Sequence, residues 1–314
     1  MNLLQVATEL ATEKACLTYL ERMRWSNGVR CIHCNGDKLS GFSTKQSTRK
    51  RYSKRQKQIV TVRVPTRHLY QCLNPKCQYQ FAATTGTIFH DSHLPLTKWF
   101  MAMALILDAK KGISANQIKR HLGIQYKTAW YLCHRIRKAM QDKPTTLLTG
   151  TVEVDETYVG GKYDSRRKRG PWEKQGVVGL IQRGGKVHVQ TISTPSKAVL
   201  VGVIRDRVSP KADLVITDQY AAYKSVKETH RHAVINHLRE YVRGGIHTNS
   251  IENFWSLLKR GIMGSFHKIS LKHLPRYLGE FEYRFNNREL TDLFAVTLKG
   301  LLGQSAMPYK ELIS

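Results

Sequence analysis

The apolar positions of this chain keep a helical period near both ends and in one central stretch, with an alternating period between. Leu3, Leu4, Val6, Leu10, Leu17 and Leu20 suit a short amphipathic helical start. Residues 91–145 are helical in pattern. There Ser114 is a good N-cap, Gly123 ends the helix it starts, and Ala129, Leu132, Cys133 and Ile136 line the inner face of a second helix. Lys127, Arg135, Arg137 and Lys138 are expected outside that stripe. Residues 150–240 alternate. Thr151–Tyr158 reads as a strand with Val152 and Val154 on one face and Glu153 and Asp155 together on the other. Val177–Ile181 and Val187–Ile192 are two more strands, separated by Arg183-Gly184-Gly185, a hairpin signal. A helix fits residues 197–207 and a short apolar strand fits Leu214–Thr217, ending in Asp218. A helical turn fits 219–223, and Ala233–Ile235 suits a fifth strand. From 248 the helical period returns. Ile251, Phe254, Trp255, Leu258 and Ile262 form one stripe, with Glu252 beside it and Lys259 two turns from Glu252 on nearly the same face.

Three strands, a helix, a strand, then a strand and a helix is the element order of a ribonuclease-H-like α/β domain, a mixed sheet flanked by helices. In that architecture neighbouring strands present two carboxylates side by side, and a helix packed across the sheet supplies a third. The predicted organisation is a small module over residues 1–90, a helical region over 91–145 and the α/β domain over 146–314, with Lys143-Pro144-Thr145-Thr146 as the hinge. A chain of 314 residues is long enough for one substantial core and such smaller modules.

Charge narrows the partner. Lys and Arg number 51 against 23 acids, a formal net charge of +28. So large an excess repels itself unless a polyanion is near. Nucleic acid is the leading candidate, because phosphate neutralisation by Lys and Arg supplies most non-specific binding. A membrane surface would call for a basic amphipathic anchor or a long apolar span, and the sequence offers neither. Glu9, Glu13 and Lys14 interrupt any apolar signal segment, so a cytoplasmic, nucleoid-associated protein is expected. Thiols stay reduced there. Cys31-Ile32-His33-Cys34 and Cys72-Leu73-Asn74-Pro75-Lys76-Cys77 then read as two pairs at structural-zinc spacing, with Cys31, Cys34, Cys72 and Cys77 as Zn²⁺ ligands. Cys16 and Cys133 read as small core residues.

Between the pairs lies a basic run, residues 45–63, inside a segment from Lys38 to His90 that has no acid. It reads as a solvated or disordered arm that also fits phosphate contact. The two helices joined at Gly123 match a helix-turn-helix, with Gln125, Tyr126, Lys127 and Thr128 opening the recognition helix. An ordinary helical hairpin is the competing reading. Arg166, Arg167, Lys168 and Arg169 are equally a DNA contact or a solvated loop.

Asp155, Asp218 and Glu252 in so basic a chain suggest metal-assisted phosphodiester chemistry, although a lone helix acid such as Glu252 is often a surface residue. Attack on a phosphodiester needs an activated oxygen and a stabilised leaving oxygen, and two divalent ions about 3.5–4 Å apart supply both. Mg²⁺ takes hard oxygen ligands and keeps several waters, so a few carboxylates suffice. Without metal, crowded carboxylates raise one another's pKa.

With these motifs the chain resembles bacterial insertion-sequence transposases of the DDE superfamily, in the zinc-ribbon-bearing, ISXO-two-like branch. The resemblance is carried by Arg24-Trp25 ahead of the first Cys pair, Thr85-Gly86-Thr87-Ile88-Phe89, and Val154-Asp155-Glu156-Thr157-Tyr158-Val159-Gly160-Gly161. Thr217-Asp218, the run from Asn249 to Arg260, and Glu282-Tyr283-Arg284-Phe285-Asn286-Asn287-Arg288 complete it. It implies Asp155, Asp218 and Glu252 as first, second and third acids holding Mg²⁺ or Mn²⁺, with Lys259 and its neighbour Arg260 on DNA. Some members of the branch use Asn or His at the third position, and His247 and Asn249 stand close by. The implied activity is that of a DNA transposase that binds the terminal inverted repeats of its element, cleaves the ends and joins the freed 3′-hydroxyl to target DNA. Two ends handled together imply a homodimer on double-stranded DNA. A structure-specific nuclease on the same fold and a DNA-binding regulator with an inert catalytic domain are the alternative readings. The sequence departs from the branch in the basic insertion and in the wider second Cys pair.

Overall fold

The computed structural model describes residues 1–53, 57–64, 66–141, 146–160, 174–236, 242, 244–305 and 307–313. The chain divides into two compact units, one of residues 4–100 with 295–314, the other of 1–3 with 101–294.

The unit that begins near the N-terminus opens with α1 (Leu3–Glu9) and α2 (Glu13–Arg24). The single amphipathic start expected from the sequence is thus split, because Thr12 caps a new helix by accepting from the Ala15 N–H at 3.2 Å. Val6, Leu10, Cys16 and Leu20 are buried. β1 (Leu39–Ser43), β4 (His68–Cys72) and β5 (Gln80–Phe81) form a small antiparallel sheet in the order β1-β4-β5. Trp25, Tyr70 and Phe81 pack edge to face and stacked beside the cysteines. Among the described residues, β2 (Ser47–Ser53) and β3 (Gln58–Val64) pair only with each other. The run expected to be a solvated arm is therefore an antiparallel ribbon. α3 (Leu96–Asp108) follows, and its first N–H groups at Leu96 and Thr97 donate to the Glu13 carboxylate.

In the other unit, α4 (Ala115–Leu122) starts with a complete capping box between Ser114 and Gln117. Gly123 ends it in the left-handed conformation, φ 59°, and α5 (Tyr126–Ala139) begins three residues on. The sheet is built from β6 (Thr151–Val159), β7 (Gln175–Gln182), β8 (Val187–Ile192), β9 (Leu214–Thr217) and β10 (His232–Val234). Its order is β10-β9-β6-β7-β8, with β6, β7 and β8 antiparallel and β9 and β10 parallel to β6. Three antiparallel strands continued by two parallel ones on the far side of the first is the ribonuclease-H-like sheet. α6 (Lys197–Arg207) covers one face through Leu200, Val203 and Ile204 on Val152, Val154, Val178 and Leu180. α7 (Asn249–Gly261) and α8 (Leu274–Asn286) cover the other through Ile251, Trp255, Leu258, Leu278 and Phe281 on Val177, Ile181, Val187 and Val189. α9 (Leu293–Leu302), from Ala295 on, and α10 (Tyr309–Ile313) belong to the unit of residues 4–100.

Two features depart from the sequence reading or extend it. Arg135 and Arg137, expected outside the apolar stripe of α5, are buried. Arg137 pairs with buried Glu280 of α8 at 2.5 Å and lies over the Tyr277 ring at 4.2 Å, while Arg284 stands 2.9 Å from the other Glu280 oxygen. The cation is internal because a carboxylate and a ring meet it there. The outer edge of β8 is closed by α8. Asn286 accepts from the Val187 N–H at 2.7 Å and donates to its carbonyl at 2.9 Å, and Glu282 accepts from the Val189 N–H at 3.1 Å. Among the described residues no helix is long and apolar enough to cross a membrane.

Candidate active site

Strand parity puts Glu153 and Asp155 on the face of β6 that α7 covers. Thr151 pairs with Leu214 and Glu153 with Ile216 in parallel register. Continuing that register two residues sets Asp155 level with Asp218, just past the end of β9. Asp155 is held by the Trp255 indole, whose Nε1 donates to Oδ2 at 2.9 Å. The indole reaches it because Asp155 pairs across the sheet with Gly179. A Cβ there would stand 2.6 Å from the Trp255 ring and 2.8 Å from Ile251, so no larger residue fits between α7 and the sheet. Asp218 accepts from the Tyr220 N–H at 3.0 Å, an Asx turn that holds its carboxylate just past the end of β9.

Burial first, and then the charges of Glu156 and Asp218, push the Asp155 carboxyl up to about 7. Glu156 is also raised, chiefly by burial, against the Tyr223 hydroxyl that donates to it at 2.5 Å. This partly desolvated anionic cluster is the donor set a hard divalent cation takes.

Glu252 lies in the first turn of α7, half-buried, and accepts from the Thr248 hydroxyl at 2.9 Å. Among the described residues, the cysteines are the one group of potential ligands drawn within 4.8 Å of one another. Asp155 lies within β6, Asp218 just past the end of β9 and Glu252 on the first turn of α7, and the three do not close to that spacing. His247 and Asn249 flank the turn differently. His247 Nδ1 lies 3.4 Å from Glu153, and Asn249 begins α7.

Glu153 is the residue that sequence reading left without a task. It is fully buried and accepts from the Ser250 N–H at 2.8 Å, the Ile251 N–H at 3.1 Å and the Ser250 hydroxyl at 3.0 Å. Arg183 donates to it at 2.7 Å and also reaches the carbonyls of Gly245 and His247. A strand carboxylate therefore satisfies the free N–H groups at the start of α7 and complements its dipole. It fixes the turn that carries Glu252 to the strand that carries Asp155. Its alternation with Asp155 was the available signal.

In the other unit, Cys31 Sγ lies 3.7 Å from Cys77 Sγ and Cys34 Sγ 3.6 Å from Cys72 Sγ. A tetrahedral zinc with bonds of about 2.3 Å places its sulfurs about 3.8 Å apart. The four thiols fit that shell. Burial opposes ionisation of Cys31, but the backbone N–H groups of Cys34 and His33 together with the Cys34 and Cys77 thiols bring it down to about 7. His33 stacks on Tyr79 and lies 3.5 Å from Cys77 Sγ, beside the cluster.

Residues 147–286 match the model of the ISXO2-like transposase domain, and residues 11–80 match the transposase zinc-ribbon domain. An uncharacterized protein in transposable element ISH50 of Halobacterium salinarum is 27% identical over 87% of this chain and 90% of its own length. An uncharacterized transposase-like protein of Haemophilus influenzae is 31% identical over 35% of this chain, a span that takes in 89% of that protein. The chain belongs to the ISXO2-like transposase family. Among solved structures, it is similar to the Mos1 transposase paired-end complex with left transposon end and to a pre-cleavage Mos1 transpososome. Sequence identity is 10% and 11%, coverage 66% of this chain and 79% and 78% of those chains, and the TM-scores are 0.27 and 0.26, too low to bear on the site.

The basic residues of this family member sit as follows. Lys259 and Arg260 are exposed on the last turn of α7, and Arg260 Nε donates to the Ser256 carbonyl. Lys127 is exposed in the first turn of α5, next to exposed Gln125 and Tyr126, whereas the rest of that helix is largely buried. Arg166, Arg167, Lys168 and Arg169, like the hinge residues Lys143, Pro144 and Thr145, lie outside the described residues.

Proposed function

We propose that this transposase is a metal-dependent DNA strand-transfer enzyme. It binds the terminal inverted repeats of its insertion sequence, hydrolyses a phosphodiester at each end and directs the freed 3′-hydroxyl at target DNA. The observation that carries the reading is the parallel register of β6 and β9, which if continued would set Asp155 level with Asp218 just past the end of β9, with the first turn of α7 tied to β6 by Glu153. Asp155, Asp218 and Glu252 would hold Mg²⁺ or Mn²⁺, which when bound activates the attacking oxygen and stabilises the leaving one. The protein's own part is orientation. Trp255 fixes one Asp155 oxygen, the Tyr220 N–H fixes one of Asp218, and Thr248 fixes one of Glu252. Lys259 and Arg260 lie further along α7, where a phosphate backbone passing the acids would meet them.

The same reading gives the rest of the chain its tasks. Residues 1–90 form a zinc-held module, residues 91–145 a DNA-binding region in which α4 and α5 act as a helix-turn-helix, and residues 146–314 the catalytic domain. Lys127 and its neighbours in the first turn of α5 face the groove, since recognition helices read bases with their N-terminal residues. Arg166 to Arg169 add phosphate contacts. The working form is a homodimer on two ends, in the cytoplasm at the nucleoid.

The test supplies purified protein, Mg²⁺ and labelled duplex carrying the element's ends with a target plasmid. The expected products are 3′-hydroxyl nicks at the ends and joined end–target molecules. Asp155→Ala is expected to abolish both while leaving end binding intact. Activity undiminished in Asp155→Ala overturns the assignment, and cleavage without joining makes the protein a nuclease.

A further inference from the structure

The basic insertion between the two cysteine pairs has a form of its own. β2 and β3 run antiparallel through seven register pairs, from Ser47↔Val64 to Ser53↔Gln58, and among the described residues belong to no larger sheet. At about 3.3 Å per residue the ribbon is about 23 Å long. Among its described side chains only Val60 is half-buried, and the others are exposed. An isolated two-stranded hairpin is marginally stable in water. This one nevertheless carries Ile59, Val60, Val62 and Val64, β-branched residues suited to a covered strand. Near the turn, Tyr52 pairs with Ile59, and these two are 58% and 68% exposed. From Ser47 to Val64 the sequence has seven Lys and Arg and no acid. The described side chains of the ribbon are thus largely uncovered and its sequence is cationic, so its complement is a polyanion. A second copy of the ribbon would set like charge against like.

We propose that the β2–β3 ribbon is a DNA-groove arm. Its cations would neutralise phosphates on either side of the groove, and the Tyr52–Ile59 pair would press against the base and sugar edges within it. A two-stranded ribbon has the width a duplex groove admits, and exposed apolar side chains on basic arms wedge against base steps. The inference rests on the reading of DNA as substrate but not on the carboxylates, and it assigns the arm affinity without base specificity.

The experiment uses the full-length zinc-loaded protein and fluorescent duplex of arbitrary sequence, without divalent metal, from about 50 to 300 mM NaCl. Each phosphate contact contributes roughly 0.9 to the slope of log affinity against log salt. The pair Lys50→Gln with Lys57→Gln is expected to flatten the slope by roughly 2. The pair Tyr52→Ala with Ile59→Ala is expected to weaken binding about tenfold with the slope unchanged. Zinc content and the thermal transition should match the parent protein, because the ribbon pairs with no other strand. Unchanged slope and affinity in both variants overturn the arm. So does a change in sedimentation that makes the ribbon a contact between copies. Failure of the parent protein itself to bind duplex strikes the underlying DNA reading instead, and a metal-free binding assay keeps both results apart from catalysis.

Discussion

Asp155 is the residue where position and chemistry meet most directly. Its carboxyl, at about 7 in the metal-free fold, sits well above the 3.8 of a free side chain. A group raised in this way stabilises the fold below its unfolded pKa, and that contribution is lost as pH rises through the folded value. Metal-free protein should therefore lose stability between about pH 4 and pH 7, by at most about 4 kcal/mol from this group. Asp155→Asn is expected to remove that slope and raise the melting temperature at pH 8, as followed by calorimetry over a pH series, while eliminating strand cleavage. Glu153 makes the complementary case. Glu153→Gln keeps the shape but loses the charge facing Arg183 and one acceptor among four donors. It should cost roughly 2–4 kcal/mol in urea denaturation. With DNA affinity unchanged, it should also raise the Mg²⁺ concentration for half-maximal cleavage. An unaltered Mg²⁺ requirement would reduce Glu153 to a stability role. The placement of both residues was legible because a strand alternates. What Glu153 holds was not, since nothing local announces that the backbone of Ser250, 97 positions away, arrives at its carboxylate. Gly179 escaped for a related reason: a glycine in a strand reads as weakness until the Trp255 ring over it is known.

At the level of elements, α5 and α8 show how charge misleads. Arg137 is expected outside the apolar stripe of α5; it is inside because Glu280 and Tyr277 lie opposite. A hint lay in α8, where Glu280 interrupts the stripe of Tyr277, Leu278 and Phe281, but an acid in one helix does not name its partner in another. Such a pair stabilises little in itself, while breaking it strands a buried charge. Glu280→Ala is therefore expected to lower stability by about 3–5 kcal/mol, seen as a lower urea midpoint with an unchanged m-value. A midpoint within experimental scatter of the parent would mean that Arg137 finds water instead. The five strands and α6 were recoverable from alternation and run length. The basic ribbon was not read as strands, because its charge outweighed the alternating Val60, Val62 and Val64 of β3 as a signal of structure.

For the whole molecule, the cysteine spacing identified the four thiols, and the fold brings their sulfurs to distances that suit one zinc. One zinc per chain is expected by elemental analysis, with Cys31→Ser lowering it. Chelation should abolish the structure of the small sheet, since binding energy at such sites is folding energy; a proton-release titration on zinc addition would report the same linkage. The excess of +28 acts over the entire surface. Its self-repulsion opposes compactness and is relieved by a bound polyanion. The strands of the five-stranded sheet followed from periodicity, whereas the order in which they pair and the packing of α7 on them depend on contacts such as Trp255 over Gly179 that only three dimensions bring together.

The late motif from Glu282 to Arg288 has a role outside chemistry. By taking up the exposed N–H groups of β8, Glu282 and Asn286 act as a counterfeit neighbouring strand. A sheet whose border is sealed by its own helix offers no template for another chain to extend. Assembly on paired DNA ends then has to proceed through some other surface than that border. A copy of the gene truncated ahead of this motif would yield a sheet with an open, valine-rich margin, and so a protein prone to stack into insoluble ribbons.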